Sequence, residues 1–520
     1  MADIIEVEVF NKLFASIAEE MGIILAKSAF SPNIKERRDF SCAIFDIAGE
    51  LVAQAAHIPV HLGAMAMTVK HALTVHDFAP GDIMILNDPF SGGSHLPDIT
   101  LIAPVCNEAA KVLFYVANRA HHADVGGRMP GSMGMISDLA DEGILIQPTL
   151  LYRRGVIDRP FIEHFLRRVR NPVERQADLH AQAAALHRGE VRLLALVDKY
   201  GMNHLLAVLT RLRDYAERLM RSAIGAIPDG SYSFVDYLDD DGINQVPVPI
   251  GVRLTIDGEQ AEVDFRRCAQ QVPSPLNTVK SVTRSAVVYV FQCLVGDGYP
   301  INEGSYRPLT VITQPGTLLD AKPPAPVAAG NVETSQRIVD VLLGALAMAV
   351  PRRIPAASSG SMNNIAIGSL AAGSKNHFTY YETIGGGMGA RPDRRGLSGI
   401  HTHMTNTLNT PIEALEHAYP LQVVRYGLRR NSGGCGLHRG GNGIIRAYRF
   451  LDQAHVSLLT ERRRLAPYGL AGGHDGRRGE NVLIRDGRRI RLAGKINFIA
   501  RPEDILLIKT PSGGGWGTPT

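Results

Sequence analysis

Apolar side chains return every three or four residues at the start of the chain. Phe10, Leu13, Phe14, Ile17, Met21, Ile24 and Leu25 fall on one side of a 3.6-residue repeat, which predicts an amphipathic opening helix. Ser31-Pro32-Asn33 breaks it. Residues 40–46 and 50–54 flank Ile47-Ala48-Gly49, the pattern of a hairpin with a short Gly turn. Residues 82–87 read as a strand and 88–97 as a Gly/Ser/Pro loop. Residues 99–105 and 112–117 are two apolar strands joined by a polar turn at Asn107-Glu108. From Pro172 to residue 224 the chain is rich in Ala, Leu, Arg and Gln, with Gly189 and Gly201 as its few breakers, and reads as helix. Pro228-Asp229-Gly230 opens a β-rich region to about residue 270. Residues 338–350 are a buried helix, 384–443 are dense in glycine, and 444–510 are short strands and turns. Without regular βαβ alternation, the pattern predicts an α+β fold of mixed, largely antiparallel sheets with helical segments, multi-lobed. The expected regions are 1–170 (N-terminal α+β), 171–225 (helical), 226–380 (central α+β) and 381–520 (Gly-rich and β-rich).

Composition narrows the class. With 520 residues, 45% of them hydrophobic, and 52 Gly and 30 Pro, the chain is neither a small disulfide scaffold nor a disordered low-complexity protein. Its 55 basic and 51 acidic residues leave a net charge of +4. The charges are dispersed; Arg462-Arg463-Arg464 has no aromatic interleaving, so a nucleic-acid groove is not expected. Cys42, Cys106, Cys268, Cys293 and Cys435 form no CxxC pair, which reads as reduced thiols. The first ten residues carry neither a basic region nor an apolar export core, and the apolar run 338–350 contains Asp340 and is too short for a bilayer. The expectation is a soluble, cytoplasmic protein with no membrane or nucleic-acid partner.

The candidate chemistry lies in Ser94-His95-Leu96-Pro97-Asp98 and in Asn118-Arg119-Ala120-His121-His122-Ala123-Asp124. If the strands 99–105 and 112–117 form a hairpin with Cys106 opposite Lys111, Asp98 stands opposite Arg119 and His95 opposite His122. The HxxD group and the double histidine then meet at one hairpin end, where imidazole and carboxylate groups share a divalent ion and leave positions free for water or substrate. Asp39 or Asp124 would supply a further ligand. His57 and His61 by themselves read as packing or loop residues. The glycine run at 385–389 lacks the Lys-Ser/Thr of a phosphate loop, and no nucleotide-binding motif is visible. The polar run 401–410 either lines a cleft or is a surface loop, with a second metal at His401 and His403 as the weaker option. There is no GxSxG elbow.

Taken together, these motifs resemble the hydantoinase B family, which includes N-methylhydantoinase B chains, the C-terminal half of 5-oxoprolinase, the metal subunit of caprolactamase and the large subunits of acetone and acetophenone carboxylases. The resemblance spans nearly the whole chain. It is carried by Glu36-Arg37-Arg38-Asp39-Phe40-Ser41, His57-Ile58-Pro59-Val60-His61-Leu62-Gly63, Asn87-Asp88-Pro89 and the histidine motifs. Gly330-Asn331-Val332-Glu333-Thr334-Ser335, Thr405-Asn406-Thr407 and Gly513-Gly514-Gly515-Trp516-Gly517 complete it. It implies a divalent metal held by Asp39, His95, Asp98 and His121, with His122 as a substitute for His121; carboxylate-rich N/O ligation suits Zn, Mn or Fe. It also implies an A-type partner that binds ATP, in a hetero-oligomer such as A2B2. The activity implied is ATP-dependent hydrolysis of a cyclic amide (a hydantoin, 5-oxoproline or related lactam), in which metal-activated water attacks a carbonyl that the partner has phosphorylated. His57, His61 and Glu333 are then the proton-transfer or substrate-binding groups. The alternatives are a subunit of a ketone carboxylase, against which the short chain argues, and a non-catalytic scaffold. Cys435 interrupts a glycine stretch where the family pattern calls for a small residue.

Overall fold

The opening apolar stripe folds as α1 (Ala2–Ser28), and Phe10, Phe14, Ile17, Met21 and Leu25 are all buried in the main core. The computed structural model describes residues 2–55, 57–296, 298–370 and 377–519. Ser31 does not merely end α1. Its hydroxyl accepts the N–H of Ile34 at 3.3 Å and, with Pro32 at the first helical position, starts the short α2 (Pro32–Lys35). The predicted hairpin is β1 (Phe40–Phe45) with β2 (Leu51–Gln54), followed by α3 (Leu62–Val75). Then come β3 (Ile83–Leu86), β4 (Asp98–Cys106), β5 (Val112–His121), α4 (Leu139–Glu142), β6 (Thr149–Arg153), β7 (Val156–Ile157) and α5 (Arg159–Leu166). The seven strands form one antiparallel sheet in the order β2-β1-β5-β4-β3-β6-β7.

The β4–β5 register differs from the expected one. Asp98 pairs with His121 and Thr100 with Arg119, because Cys106 stands opposite Val112 rather than Lys111 and a bulge follows between Val105 and Cys106. Each irregularity moves the partner by one residue. The combined shift is two, and since side chains alternate with a period of two, the face on which Asp98 and the histidine meet is unchanged.

The helical stretch is two helices, α6 (Pro172–Tyr200) and α7 (Met202–Gly225), split at Gly201, whose φ of 78° is not helical. α6 packs on α1 and on β4 and β5. A second sheet, ordered β11-β10-β9-β8, comprises β8 (Gly230–Leu238), β9 (Val248–Asp257), β10 (Gln260–Asp264) and β11 (Leu309–Ile312), with α8 (Lys280–Val295) inserted before its last strand. The expected buried helix is α9 (Ser335–Ala349), entered through a π-turn at Gly330–Thr334.

The remaining elements are β12 (Asn364–Ser369), β13 (Thr379–Glu382), α10 (Ile412–Ala418), β14 (Leu421–Leu428), β15 (Ile444–Phe450), β16 (Ala454–Leu459), β17 (Glu480–Arg485), β18 (Arg488–Leu492), β19 (Lys495–Ala500) and β20 (Ile505–Lys509). They form two further sheets, β13-β12-β16-β19 and β14-β15-β20-β17-β18. The glycine runs here allow backbone to touch backbone: a Cβ at Gly387 would overlap the carbonyl oxygen of Gly441. Cys435 fits this arrangement because its side chain is exposed while its carbonyl accepts the N–H of His474 at 2.7 Å. No described helix is long and apolar enough to cross a membrane.

Candidate metal centre

The site forms where one end of the seven-stranded sheet meets the region of β12 and β13. Asp98 opens β4 and His121 closes β5, and the pairing sets them side by side. His95 lies one turn before Asp98, whose N–H donates to the His95 carbonyl at 3.0 Å. A left-handed residue, Arg38 (φ 55°), turns the chain from α2 into β1 and brings Asp39 beside His121, whose N–H donates to the Asp39 carbonyl at 3.0 Å. His61 is delivered by the short turn before α3.

His95 Nε2 stands 3.1 Å from Asp98 Oδ1, His121 Nδ1 stands 3.3 Å from the same oxygen, and the two ring nitrogens are 3.2 Å apart. All three side chains are buried. Donors held about 2.0–2.1 Å from a tetrahedral ion lie about 3.3 Å from one another, so this triangle has the spacing of a metal ligand set. Among the described residues, His95, Asp98 and His121 are the group with such spacing.

The electrostatics suit a cation. Among the described residues, Asp98 Oδ1 has no hydrogen-bond donor of its own. Burial opposes ionisation of Asp98, but His95 and His61 outweigh it and hold the carboxyl well below its usual range. Burial lowers His121 below the ordinary imidazole value, against Asp98 and Asp39, so the ring is the neutral form that ligates. His95 Nδ1 donates to the Ala328 carbonyl at 3.1 Å, which turns the Nε2 lone pair inward. Asn331 Nδ2, on the π-turn, lies 3.1 Å from His95 Nε2 and 3.5 Å from Asp98 Oδ2.

The other sequence candidates separate. Asp39 lines the same cavity but is not part of the His95–Asp98–His121 cluster, and Arg37 lies 3.7 Å from its carboxylate. His61 also lines it. Its Nδ1 is 2.9 Å from the Ser41 hydroxyl, and its Nε2 is 3.2 Å from Asp98 Oδ2. His57 lies outside the cavity lining, accepts the Cys42 N–H at Nδ1 and packs edge-on to Phe40; burial, then His61 and Arg38, lower it to about 4. His122 turns to α6, donating to Gln182 Oε1 at 2.9 Å, and Asp124 is paired with Arg170. Glu333 is not among the cavity-lining residues: its Oε1 accepts the Met362 N–H and Asn364 Nδ2, and burial, then Glu461, pushes its carboxyl up to about 8. His403 faces Asp340 at 3.9 Å and His401 approaches Thr405.

Ile58, Val60, Val332, Met362 and Met404 form the apolar wall of the cavity, and Thr383, Thr405 and Thr407 are among its polar groups. Two residues of the site gave no local sequence signal. Tyr381, on β13, stacks on His121 with ring centroids 4.7 Å apart and planes 14° from parallel, and Ala328 contributes only a backbone oxygen.

A family model described as hydantoinase B/oxoprolinase matches residues 3–519. The chain is 40% identical over 550 residues to 5-oxoprolinase 1 of Arabidopsis thaliana, covering 100% of this chain and 42% of that protein, so it spans well under half of that relative's length. It is 32% identical over 540 residues to the putative B chain of a D-/L-hydantoinase from a Pseudomonas species, covering 99% of this chain and 90% of that one. The crystal structure of the ATP-dependent caprolactamase from Pseudomonas jessenii superposes with a TM-score of 0.91 at 28% identity, covering 99% of this chain and 91% of that chain.

Proposed function

The chain belongs to the hydantoinase B/oxoprolinase family, and on that premise we propose that it is the metal-bearing subunit of an ATP-dependent hydrolase that opens cyclic amides: hydantoins, 5-oxoproline or related lactams. The observation that carries this reading is the convergence of His95 Nε2, Asp98 Oδ1 and His121 Nδ1 at one buried cavity. These three residues would hold a divalent ion, with Asp39 of the same cavity as the further ligand, and that ion would supply acidified water and a Lewis acid for a carbonyl oxygen.

The rest of the chemistry belongs to the chain's own side chains. His61 Nε2 faces the Asp98 carboxylate, which only accepts, so the ring hydrogen sits on Nε2 and Nδ1 accepts from the Ser41 hydroxyl. His61 is the group placed to pass a proton to the ring nitrogen as the C–N bond opens. Asn331 orients His95 and Asp98, and the apolar wall keeps bulk water from the ring. Glu333 is a positioning residue: Asn364 bridges its carboxylate to the Tyr381 hydroxyl, and Tyr381 lies on His121. His57 packs α1 against β1.

Nucleotide binding falls to an A-type partner in a hetero-oligomer of the reducing cytoplasm, as the relative named for its B-type role in a hydantoinase and five cysteines outside any disulfide suggest. The test is to purify the chain with that partner and follow ring opening of 5-oxoproline, hydantoin and caprolactam. Turnover should need ATP and the partner, stop after treatment with a chelator, and return with Zn, Mn or Fe. Turnover that needs bicarbonate, or that survives complete metal removal, would reject the reading.

A further inference from the structure

Arg37 has no exposed surface, yet the carboxylate it faces, Asp39, stands 3.7 Å away. Its guanidinium donates to the Tyr381 carbonyl at 3.1 Å, to Asn33 Oδ1 and to the Thr383 hydroxyl at 2.8 Å. Having accepted from Arg37, the Thr383 hydroxyl must place its own hydrogen. Among the described residues the acceptor in reach is Thr407 Oγ1, at 2.8 Å. Either hydroxyl of this pair could donate, but acceptance from the Arg37 guanidinium makes Thr383 the stronger donor; with Thr407 accepting, its own hydroxyl hydrogen finds no acceptor among the described residues. Thr383 and Thr407 both line the cavity that Asp39, Asp98 and His121 line. A buried hydroxyl with an unclaimed hydrogen, polarised by a guanidinium behind a second hydroxyl, is a directed donor.

We propose that Thr407, backed by Thr383 and Arg37, is the subsite for a second oxygen of the cyclic amide, one other than the carbonyl under attack. This rests on the reading of the cavity as the place where the ring opens. The positive charge at the head of the relay ranks the acceptors: a carboxylate on the ring first, a second ring carbonyl next, and a bare lactam last. A site built to donate to a substrate oxygen discriminates against rings that lack it, because its donor is then left unpaired.

The test uses the purified full chain and three probes: 5-oxoproline, with a carboxylate; hydantoin, with a second carbonyl; and 2-pyrrolidone, with neither. Binding is measured by calorimetry for the wild type, for Thr407→Val, which keeps the shape, and for Thr407→Ser, which restores the hydroxyl. Thr407→Val should raise the Kd for 5-oxoproline about tenfold more than that for 2-pyrrolidone, with hydantoin between, and Thr407→Ser should recover most of the loss. Equal weakening of all three probes, no weakening, or a wild type that binds none of them would overturn the subsite. Ring opening by the complex is scored separately. This binding pattern in a complex without ATP-dependent turnover would support the subsite and reject the hydrolase reading.

Discussion

His95 Nδ1 lies 3.1 Å from the carbonyl oxygen of Ala328, 233 residues further along the chain. The Ala328 N–H in turn donates to Glu142 Oε1 at 2.7 Å. A ring N–H committed to a backbone carbonyl leaves Nε2 as the lone-pair nitrogen, and Nε2 is the atom that faces Asp98 and His121. The orientation of one candidate ligand is thus set by a peptide unit that is itself held from α4.

His95→Ala removes that lone pair without touching the sheet. Asp98 and His121 keep their strand pairing, so circular dichroism should be unchanged. Elemental analysis of the purified variant should show loss of the divalent metal, and the complex with the partner should lose turnover. Full activity in a metal-free His95→Ala sample would remove the three-residue site from consideration.

Glu142 gives a pH dependence of stability. Burial pushes its carboxyl up to about 8. Below the ordinary carboxyl value, about 4.3, folded and unfolded chains both carry the proton. Between that value and about 8 the folded chain keeps a proton that the unfolded chain has released, so stability falls as pH rises, by about 1.4 kcal/mol per unit at most. Glu142→Gln keeps an oxygen for the Ala328 N–H and cannot ionise. Thermal melts at pH 5.5 and pH 8 should show a smaller drop in Tm for the variant than for the wild type.

The parts of the fold legible in the sequence are those written in a local period. The stripe of α1, the β1–β2 hairpin and the face shared by Asp98 and His121 all follow from spacing of 3.6 or 2. The β4–β5 register is not legible to the residue, because a bulge leaves no mark in the side-chain pattern, but an offset of two preserves the face. Tyr381, Thr383 and Ala328 stayed hidden for a different reason. Each reaches the site from the second half of the chain, and an alanine carbonyl carries no compositional signal at all. His57 and His61 look alike in their motif, and only the tertiary fold separates the one on Phe40 from the one beside Asp98.

Tyr381 touches the candidate centre in two ways, and two variants separate them. Tyr381→Phe keeps the ring on His121 and loses the hydroxyl's 2.7 Å bond to Asn364 Oδ1. It should cost about 1 kcal/mol of stability and leave metal binding nearly intact. Tyr381→Ala also removes the stack that fixes the imidazole plane. Competition with a chromogenic chelator should show affinity for the metal falling about 10–100-fold.

The two histidines of the His57-to-His61 motif should behave oppositely. His61 lines the cavity, takes a hydroxyl hydrogen from Ser41 and lies 3.2 Å from Asp98 Oδ2, so His61→Ala should lower kcat by about 100-fold or more, as the loss of a proton-transfer group does. Its metal content, held by other side chains, should change far less than that of His95→Ala. His57 accepts the Cys42 N–H and packs on Phe40 between α1 and β1. His57→Ala should therefore lower Tm, at a cost of about 1–3 kcal/mol, with kcat at permissive temperature near that of the wild type. Steady-state kinetics and thermal melts on the same preparations check both. A His57→Ala enzyme that is stable but slow would move the proton-transfer role from His61 to His57.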